Sequence, residues 1–547
     1  MSRYSLGLDF GTLSVRGILI CIESGEAVAT AVSTYAHGVM SSSLPDGTPL
    51  PPDYALQHPQ DYLDGLVHVI TECLAKARIS PEEIIGVGID FTASTVLPVL
   101  ADGTPLCFLE EFSSTPHAYV KLWKHHAAQK EADEINALAK EVAAPWLARY
   151  GGSISGEWLF PKVLQVLREA PTVYDRTFRF VEAGDWIVWM LTGEESHSVC
   201  TTGFKAMWNE EEGYPDKDFL RALHPALEDI TETKISKRVT RLSEIAGYVT
   251  QSMAQKSGLA AGTPVSPAFI DAHAALPALG ITKAGELLMI IGTSTCHILL
   301  SDTAPYVPGI SGYVKNGIID GLYAFEAGQA SVGDTFEWFI ENCVPADYTE
   351  KAKAQGLGIH AYLRSKAALL PPGANGLMAL DWFNGNRTPY DNGRLRGLIC
   401  GLTLSTSPAE IYRALIEATA YGAKRILELY EQNGIRITRI YAAGGIAEKD
   451  ELLMQIYADV LGREVYLSGT SQACAFGSAL LGAVREDGYA TLAEAAERLR
   501  QVSPRTYVPD PARTQAYASL YEEYVALSEL FARRDHHFPT IPTSFAT

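Results

Sequence analysis

The stretch Tyr4-Ser-Leu-Gly-Leu-Asp-Phe-Gly-Thr-Leu-Ser-Val-Arg-Gly-Ile-Leu-Ile20 decides the fold of this chain. Its first seven residues are apolar with strand character, residues 11–14 have the composition of a turn, and residues 15–22 are apolar again. Two apolar runs separated by a short turn that contains glycine are typical of a β-hairpin. The N-terminus is therefore predicted to be a hairpin with a small polar tip.

A second hairpin of the same plan lies about half the chain further on. Residues 287–291 are apolar, 292–295 form a Gly-Thr turn with small hydroxyl side chains, and 296–300 are again strand-like. Such self-similarity indicates an internal duplication. Because strands alternate with helical patterns, we predict an α/β protein of two similar domains, residues 1–265 and 266–547, with a hinge within 258–267.

The remaining segments give a coarse list of elements. Strands are expected over residues 84–91 and 437–443, and the irregular, aromatic stretch 201–215 is expected to be a loop in a cleft. An amphipathic helix over 491–534 is expected to precede a loose end. Further helices are expected over residues 59–77, 118–143, 450–461 and 475–485.

Composition excludes several classes of protein. The chain has 547 residues, 47% of them hydrophobic and 20% charged, which is ordinary for a globular protein too long for one core. Its 44 Lys and Arg against 64 Asp and Glu give a net charge of −20, so nucleic acids and membranes are not expected as partners. The eight cysteines include no CxxC pair, and Asp9 and Arg16 interrupt the apolar stretch within residues 1–20, so neither a zinc ribbon nor a signal peptide is indicated. A cytoplasmic location is expected by elimination.

Common catalytic motifs are absent from the sequence. It contains no Walker A loop, no HExxH zinc helix, no GxSxG nucleophile elbow and no protein-kinase catalytic loop. Asp9 instead ends a strand ahead of Gly11, Thr12 and Ser14, whose amides and hydroxyls can bind an anion, and Asp9 can hold Mg²⁺ through water. An ordinary hairpin with a turn aspartate is the alternative.

Three further stretches suggest a polyphosphate site at a domain cleft. Gly292-Thr293 matches the first hairpin, and two facing hairpins can grip a phosphate chain between them. Gly444-Gly445 follows a strand, where glycines either let a ring or phosphate approach closely or merely make a tight turn. Asp271 ends an apolar run before the second hairpin, as a helix N-cap or as a general base.

Together these residues resemble the motifs of the FGGY carbohydrate kinases over nearly the whole chain. The resemblance implies two duplicated ribonuclease-H-like (actin-like ATPase) domains with a cleft between them. Within the family the sequence is most similar to the ribulokinase branch. The motifs that carry this are Gln57-His-Pro-Gln-Asp-Tyr62, Asp90-Phe-Thr-Ala-Ser-Thr95, Leu122-Trp-Lys-His125, Tyr150-Gly-Gly, Ser155-Gly-Glu-Trp158, Gly203-Phe-Lys-Ala-Met-Trp208, Gly292-Thr-Ser-Thr-Cys296, Glu326-Ala-Gly-Gln329 and Asp381-Trp-Phe-Asn-Gly-Asn-Arg-Thr-Pro389.

The resemblance also implies an activity and its residues. It implies ATP-dependent phosphorylation of L-ribulose to L-ribulose 5-phosphate in L-arabinose catabolism, with ATP and Mg²⁺ as cofactors and a homodimer as the assembly. Asp271 takes the general-base position and Asp9 the metal-side position. The positions of sugar contacts are Ala93, Lys205, Asp271 and Glu326, and those of nucleotide contacts are Gly11, Thr12, Ser14, Thr293, Gly328, Gly445 and Lys449.

Two alternatives stay open. A few hydroxyl contacts decide sugar stereochemistry, so a kinase for another pentulose or pentitol, such as D-ribulose, xylulose or ribitol, also fits the sequence. A non-enzymatic clamp gated by nucleotide fits the phosphate hairpins alone. Such a clamp would require neither Asp271 nor the pair Lys205 and Glu326.

Several aromatic side chains near these motifs have two interpretations. Trp123, Trp158 and Trp208 are expected either to face the sugar with an apolar surface or to lie in the core. His125 and His126 are adjacent, so their rings diverge on a helix, and both are expected to be solvated side chains.

Overall fold

The structure is a computed structural model that describes residues 3–534. The strands are Tyr4–Phe10 (β1), Ser14–Cys21 (β2), Ala27–Thr34 (β3), Leu56–Gln57 (β4), Ile84–Phe91 (β5), Val96–Val99 (β6), Val120–Lys121 (β7), Arg179–Glu182 (β8), His197–Ser198 (β9), Val239–Thr240 (β10), Gly247–Tyr248 (β11), Pro264–Ile270 (β12), Glu286–Ile291 (β13), Thr295–Ser301 (β14), Gly312–Lys315 (β15), Tyr323–Gln329 (β16), Met378–Leu380 (β17), Leu398–Cys400 (β18), Arg439–Ala443 (β19), Val465–Ser468 (β20) and Val502–Tyr507 (β21).

The α-helices cover both halves of the chain. They are Pro59–Ala77 (α1), Gln129–Glu141 (α2), Leu159–Glu169 (α3), Pro171–Arg176 (α4), Ala183–Thr192 (α5), Val199–Lys205 (α6), Lys217–Leu223 (α7), Ile230–Thr233 (α8), Gln251–Ser257 (α9), Asp271–Ala278 (α10), Gly333–Cys343 (α11), Ala346–Ala354 (α12), Ile359–Ala367 (α13), Pro408–Gln432 (α14), Gly445–Lys449 (α15), Glu451–Leu461 (α16), Ala473–Gly482 (α17), Leu492–Leu499 (α18) and Pro511–Arg534 (α19). No helix within residues 3–534 combines the length and hydropathy that crossing a bilayer requires.

Two mixed sheets share one strand plan. The first has the order β11-β12-β5-β1-β2-β3 and the second β15-β16-β14-β13-β19-β20-β21. Each sheet contains three antiparallel strands, which are β1, β2 and β3 in the first sheet and β13, β14 and β16 in the second. Two parallel strands follow beside β1 or β13, namely β5 and β12 or β19 and β20. An antiparallel strand, β11 or β21, comes last. The predicted pair of hairpins is confirmed as β1–β2 and β13–β14, and so is the duplicated ribonuclease-H-like fold. We call the part of the molecule built on the first sheet the first lobe and the part built on the second sheet the second lobe.

Two helices in equivalent places join the lobes. Helix α10 follows β12 and α17 follows β20, and they pack on each other so closely that a Cβ on Gly477 would lie 1.7 Å from the carbonyl oxygen of Ala274. Helix α17 also lies on β1 and β5 of the first lobe, where a Cβ on Gly88 would lie 1.8 Å from the carbonyl oxygen of Ser478. One buried apolar cluster therefore contains residues of both lobes.

The first lobe carries an additional four-stranded sheet in the order β4-β7-β6-β8. Its apolar core includes Trp146, Tyr150 and Trp158. Strand β12 pairs with β5 in parallel, so the first sheet includes residues on both sides of residue 265, the predicted end of the first domain.

The predicted helix over 59–77 and the predicted strand over 84–91 are confirmed as α1 and β5. Three other predicted elements differ from the structure. The helix over 118–143 is confined to α2, because Val120–Lys121 pairs with β4 and β6 instead. The loop over 201–215 begins as α6, whose N-terminal amide at Cys200 is capped by the Ser198 hydroxyl. The helix over 491–534 is interrupted by β21, because that segment fills the open edge of β20. The loose end expected after it lies outside the described residues.

Candidate active site

Side chains from two other segments hold the tip of the first hairpin. The Gly11 amide donates to the Ser14 carbonyl oxygen at 3.0 Å and closes the turn. Gln57 Nε2 donates to the Thr12 carbonyl oxygen at 2.7 Å, and Trp123 Nε1 donates to Thr12 Oγ1 at 3.2 Å. Trp123 is half-buried and supports this tip, so it does not belong to the core. The role of Gln57 was not apparent from sequence.

The second hairpin rests on the start of α11. The Gly292 amide donates to the Ser294 carbonyl oxygen at 2.9 Å, and the amides of Val332 and Gly333 donate to the carbonyl oxygens of Thr293 and Gly292 at 2.7 and 3.0 Å. A Cβ on Gly333 would lie 2.8 Å from the Gly292 carbonyl oxygen, so the contact requires glycine. Thr293 itself is exposed. Sequence reasoning missed Gly333, whose only signal was a glycine at a helix start.

The glycine pair after β19 lies beside this hairpin. Gly444 has φ +99°, and a Cβ there would lie 2.5 Å from the carbonyl oxygen of Ile291 at the end of β13. Gly445 is exposed, with no heavy atom within 4 Å of its Cβ position, and Lys449 is exposed at the end of α15. These residues and Thr293 form an open surface. Gly328 differs, because it is buried inside β16 and its amide donates to a threonine hydroxyl at 3.3 Å.

Asp271 is the first residue of α10, and Ile270 occupies the N-cap position, so the N-cap interpretation of Asp271 is wrong. Asp271 Oδ1 accepts the Ala272 amide at 2.7 Å. Burial raises the pKa of Asp271 to about 7. The hydrogen bond from the Ala272 amide lowers this pKa, whereas the negative charges of Asp9 and Glu326 raise it further. Asp9 comes from the first lobe and Glu326 from the second. Asp271 therefore lies where the lobes meet, and its side chain is half-buried.

An ion pair joins the lobes next to Asp271. Lys205 Nζ, at the end of α6, lies 2.8 and 3.0 Å from the two carboxylate oxygens of Glu326 on β16. Burial would raise the pKa of Glu326, but Lys205 and His273 hold it well below its usual value. Lys205 Nζ also lies 5.6 Å from the ring centroid of the buried Trp158. Ala93, half-buried after β5, packs on the apolar cluster between the lobes.

The other aromatic predictions have different outcomes. Trp208 is half-buried against the apolar cluster between the lobes. His125 is fully buried before α2, not solvated on a helix, and its Nε2 lies 2.9 Å from Gln165 Oε1. Burial lowers the pKa of His125, so this ring is neutral. His126 is exposed, with Nε2 3.1 Å from Glu157.

Two neighbouring carboxyl groups lie at the penultimate positions of β1 and β5. Asp9 and Asp90 face each other in register, and burial raises the pKa of both, although Arg16 opposes this for Asp9. Ser478 Oγ donates to Asp90 Oδ2 at 2.6 Å, while Asp90 Oδ1 is buried without a hydrogen-bond partner. These oxygens fit Mg²⁺, a hard cation that uses few protein carboxylates and keeps several waters. Across residues 3–534 no three His, Cys, Asp or Glu side chains form a complete metal cage.

Comparison with known proteins agrees with this architecture. The N-terminal-domain model of the FGGY family of carbohydrate kinases matches residues 4–278, and the C-terminal-domain model of the same family matches residues 287–486. The chain belongs to the FGGY family of carbohydrate kinases. It is therefore a sugar kinase, which transfers a phosphoryl group to a sugar hydroxyl, and the alternative of a non-enzymatic clamp is wrong.

Members of the family resemble the chain over nearly its full length. A ribulokinase of Bacillus licheniformis is 48% identical over 529 residues, which are 96% of each chain. A ribulokinase of Mycolicibacterium smegmatis is 43% identical over 536 residues, covering 97% of this chain and 95% of that protein. The crystal structure of xylulose kinase from Rhodospirillum rubrum has a TM-score of 0.80 at 25% identity, covering 98% of this chain and 100% of that one.

Proposed function

We propose that this sugar kinase is a ribulokinase, which phosphorylates L-ribulose at its terminal hydroxyl with Mg-ATP and yields L-ribulose 5-phosphate for L-arabinose catabolism. The observation that carries the proposal is the position of Asp271, a carboxyl group with a pKa of about 7 beside groups of both lobes. The identity of 40 to 48% to ribulokinases supports the choice of sugar. The cytoplasmic location and the homodimer stay predictions from the sequence.

The two hairpins hold the phosphates of ATP in this proposal. Amides and hydroxyls of Gly11, Thr12 and Ser14 approach from the first lobe, and Thr293 approaches from the second. Gly445 and Lys449 border the nucleotide on the second lobe; Gly328 stays a prediction. Because the chain carries a net charge of −20, local amides, hydroxyls and Lys449 must supply the attraction for the phosphates. Mg²⁺ at Asp9 and Asp90 would neutralise phosphate charge when bound.

Asp271 acts as the general base. Its carboxylate accepts the proton of the terminal hydroxyl while the hydroxyl oxygen bonds to the γ-phosphorus, and the bond from that phosphorus to the β–γ bridging oxygen breaks to release ADP. A pKa near 7 suits this task, because the group is ionised in a large fraction of the molecules and is still basic enough to take the proton. Asp271 also belongs to the sugar contacts.

Lys205 and Glu326 select the sugar. Lys205 has three donor hydrogens and Glu326 several acceptor positions, and their mutual bonds leave capacity on both for hydroxyls. A pentulose with an inverted hydroxyl leaves one of these remaining donor or acceptor positions without a partner, which costs more than a lost contact to an apolar wall. Ala93, whose side chain is a single methyl group, leaves room for the sugar in this proposal.

The proposal is tested by ADP release with saturating Mg-ATP over L-ribulose, D-ribulose, D-xylulose and ribitol. The ratios of kcat/KM decide the assignment, and L-ribulose is expected to be the best substrate. The structural likeness to xylulose kinase at 25% identity makes D-xylulose the most informative competitor. If L-ribulose is not among the best substrates, the sugar assignment is wrong. Turnover of D-ribulose, D-xylulose or ribitol would then support a kinase for another pentulose or pentitol.

A further inference from the structure

Four side chains next to the base are linked by a chain of polar contacts. Cys200 Sγ lies 3.3 Å from His273 Nδ1, and His273 Nε2 lies 3.1 Å from Glu326 Oε2. Lys205 Nζ bonds to the same carboxylate of Glu326, and Lys205 lies on the same helix, α6, as Cys200. These contacts therefore join α6, α10 and β16.

The chemistry of these groups determines where the hydrogen atoms lie. A carboxylate only accepts hydrogen bonds, so His273 must carry its hydrogen on Nε2 to bond Glu326. Nδ1 is then a lone pair, and the Cys200 thiol donates to it. Burial keeps the imidazole neutral, because it lowers the pKa of His273, and it keeps the thiol protonated, because it raises the pKa of Cys200. The side chain of His273 has no solvent exposure.

The hydrogen bond from His273 fixes the plane of the Glu326 carboxylate. Lys205 lies at similar distances from both oxygens, so it attracts the group without fixing its rotation. His273 bonds Oε2 alone and thereby leaves an acceptor position on Oε1 for a ligand. His273 also lies two residues after Asp271 on α10, so one helix holds both the base and the group that orients the sugar-binding acid.

We propose that His273 is a positioning residue whose Nε2 hydrogen, held in place by the Cys200 thiol, orients Glu326 relative to Asp271 and thereby sets the discrimination between pentuloses. This inference rests on the proposed sugar contacts of Lys205 and Glu326. His273 itself does not touch the substrate. Its removal should therefore change recognition of the sugar and leave recognition of ATP intact.

The variants His273→Gln and His273→Asn form a matched pair. Both carry a neutral amide, but only the longer glutamine places its NH₂ group near the position of imidazole Nε2. His273→Asn is expected to raise the KM for the preferred pentulose roughly tenfold, the effect of losing a hydrogen bond to a charged group. The ratio of kcat/KM between the preferred and the next-best pentulose should fall by a similar factor. His273→Gln should stay within about threefold of the parent, and the KM for ATP should change in neither.

Cys200→Ser and Cys200→Ala give a second pair, which keeps or removes the donor to Nδ1. Cys200→Ala is expected to shift the KM for the sugar in the same direction as His273→Asn, and Cys200→Ser to restore it. Far-UV circular dichroism and thermal unfolding establish that each variant is folded. Equal sugar KM values within each pair, or a change confined to stability, would overturn the positioning role.

A readout without turnover separates this inference from the proposed function. The imidazole ¹⁵N shifts of His273, assigned by comparison with His273→Asn, should show a protonated Nε2 and an unprotonated Nδ1. A protonated Nδ1 overturns the inference even if L-ribulose is the best substrate. If another pentulose is preferred and the Gln/Asn difference persists with that sugar, only the sugar assignment fails.

Discussion

Replacing Gly88 with alanine tests the contact that joins the lobes. A Cβ at this position of β5 would lie 1.8 Å from the carbonyl oxygen of Ser478, 2.7 Å from its carbonyl carbon and 3.0 Å from the amide nitrogen of Gly482. Ordinary contacts begin at 3.4 Å, so α17 must move away by about 1.6 Å. Because backbone blocks the Cβ, no side-chain rotation relieves the clash. The free energy of unfolding should fall by about 3 kcal/mol, the upper end of typical overpacking costs.

The same displacement should reach the active site. Ser478 Oγ donates to Asp90 Oδ2 at 2.6 Å, and a shift of α17 by more than 1 Å breaks that bond, as hydrogen bonds weaken steeply with distance. Asp90 then loses a partner that lowers its pKa, next to Asp9 at the first hairpin. We therefore expect kcat to fall together with stability.

Urea unfolding, followed by tryptophan fluorescence and far-UV circular dichroism, measures the loss of stability. Gly393→Ala is the matched control, because no heavy atom lies within 4 Å of its Cβ position and its φ is not in the left-handed region. Its free energy of unfolding should stay within about 0.5 kcal/mol of the parent. If Gly88→Ala unfolds at the urea concentration of the control and keeps full kcat, the close contact of α17 with β5 is wrong.

Two further predictions concern Asp271. Asp271→Asn should lower kcat by about 10²- to 10⁴-fold, with sugar and ATP dissociation constants nearly unchanged in calorimetry, because the carboxylate acts on the proton in the transition state. The exposed control Asp302→Asn should keep parental kcat; a parental kcat in Asp271→Asn would remove the base role. Because the base must be ionised and its pKa is about 7, log kcat/KM for the sugar at saturating Mg-ATP should rise with unit slope below pH 7 and level off above it. A flat profile from about pH 5.5 to about 8.5 contradicts that assignment.

Local sequence was sufficient for the elements that carry the hairpins. The run from residue 4 to residue 22 alternates apolar residues with a glycine-containing turn, and β1–β2 follows it within one residue. Local sequence did not predict the strands that form only by pairing with strands distant in the chain. Val502–Tyr507 is a strand only because β20 has an open edge beside it, and Val120–Lys121 is a strand only because β4 and β6 flank it. Neither neighbour can be read from the segment itself.

The candidate site was predicted unevenly for the same reason. Asp271 follows an apolar strand and Asp9 is the penultimate residue of another, so their place at strand ends was accessible from the sequence. The pairing of Lys205 with Glu326 joins residues far apart in the chain, and only the family resemblance indicated it. The bond between His273 and Glu326 had no sequence signal, because a histidine beside small residues in an apolar helix looks like an ordinary core residue.

The arrangement limits how the lobes can move during turnover. Lys205 belongs to the first lobe and Glu326 to the second, while α10 and α17 pack between the sheets without room for side chains at Gly477. A rotation that widens the cleft must therefore break the Lys205–Glu326 pair or pivot close to it. In the proposed function, sugar hydroxyls bound to Lys205 and Glu326 would add bonds at this contact between the lobes. Under that proposal, binding of the sugar would strengthen a contact between the lobe that carries the first hairpin and the lobe that carries the second.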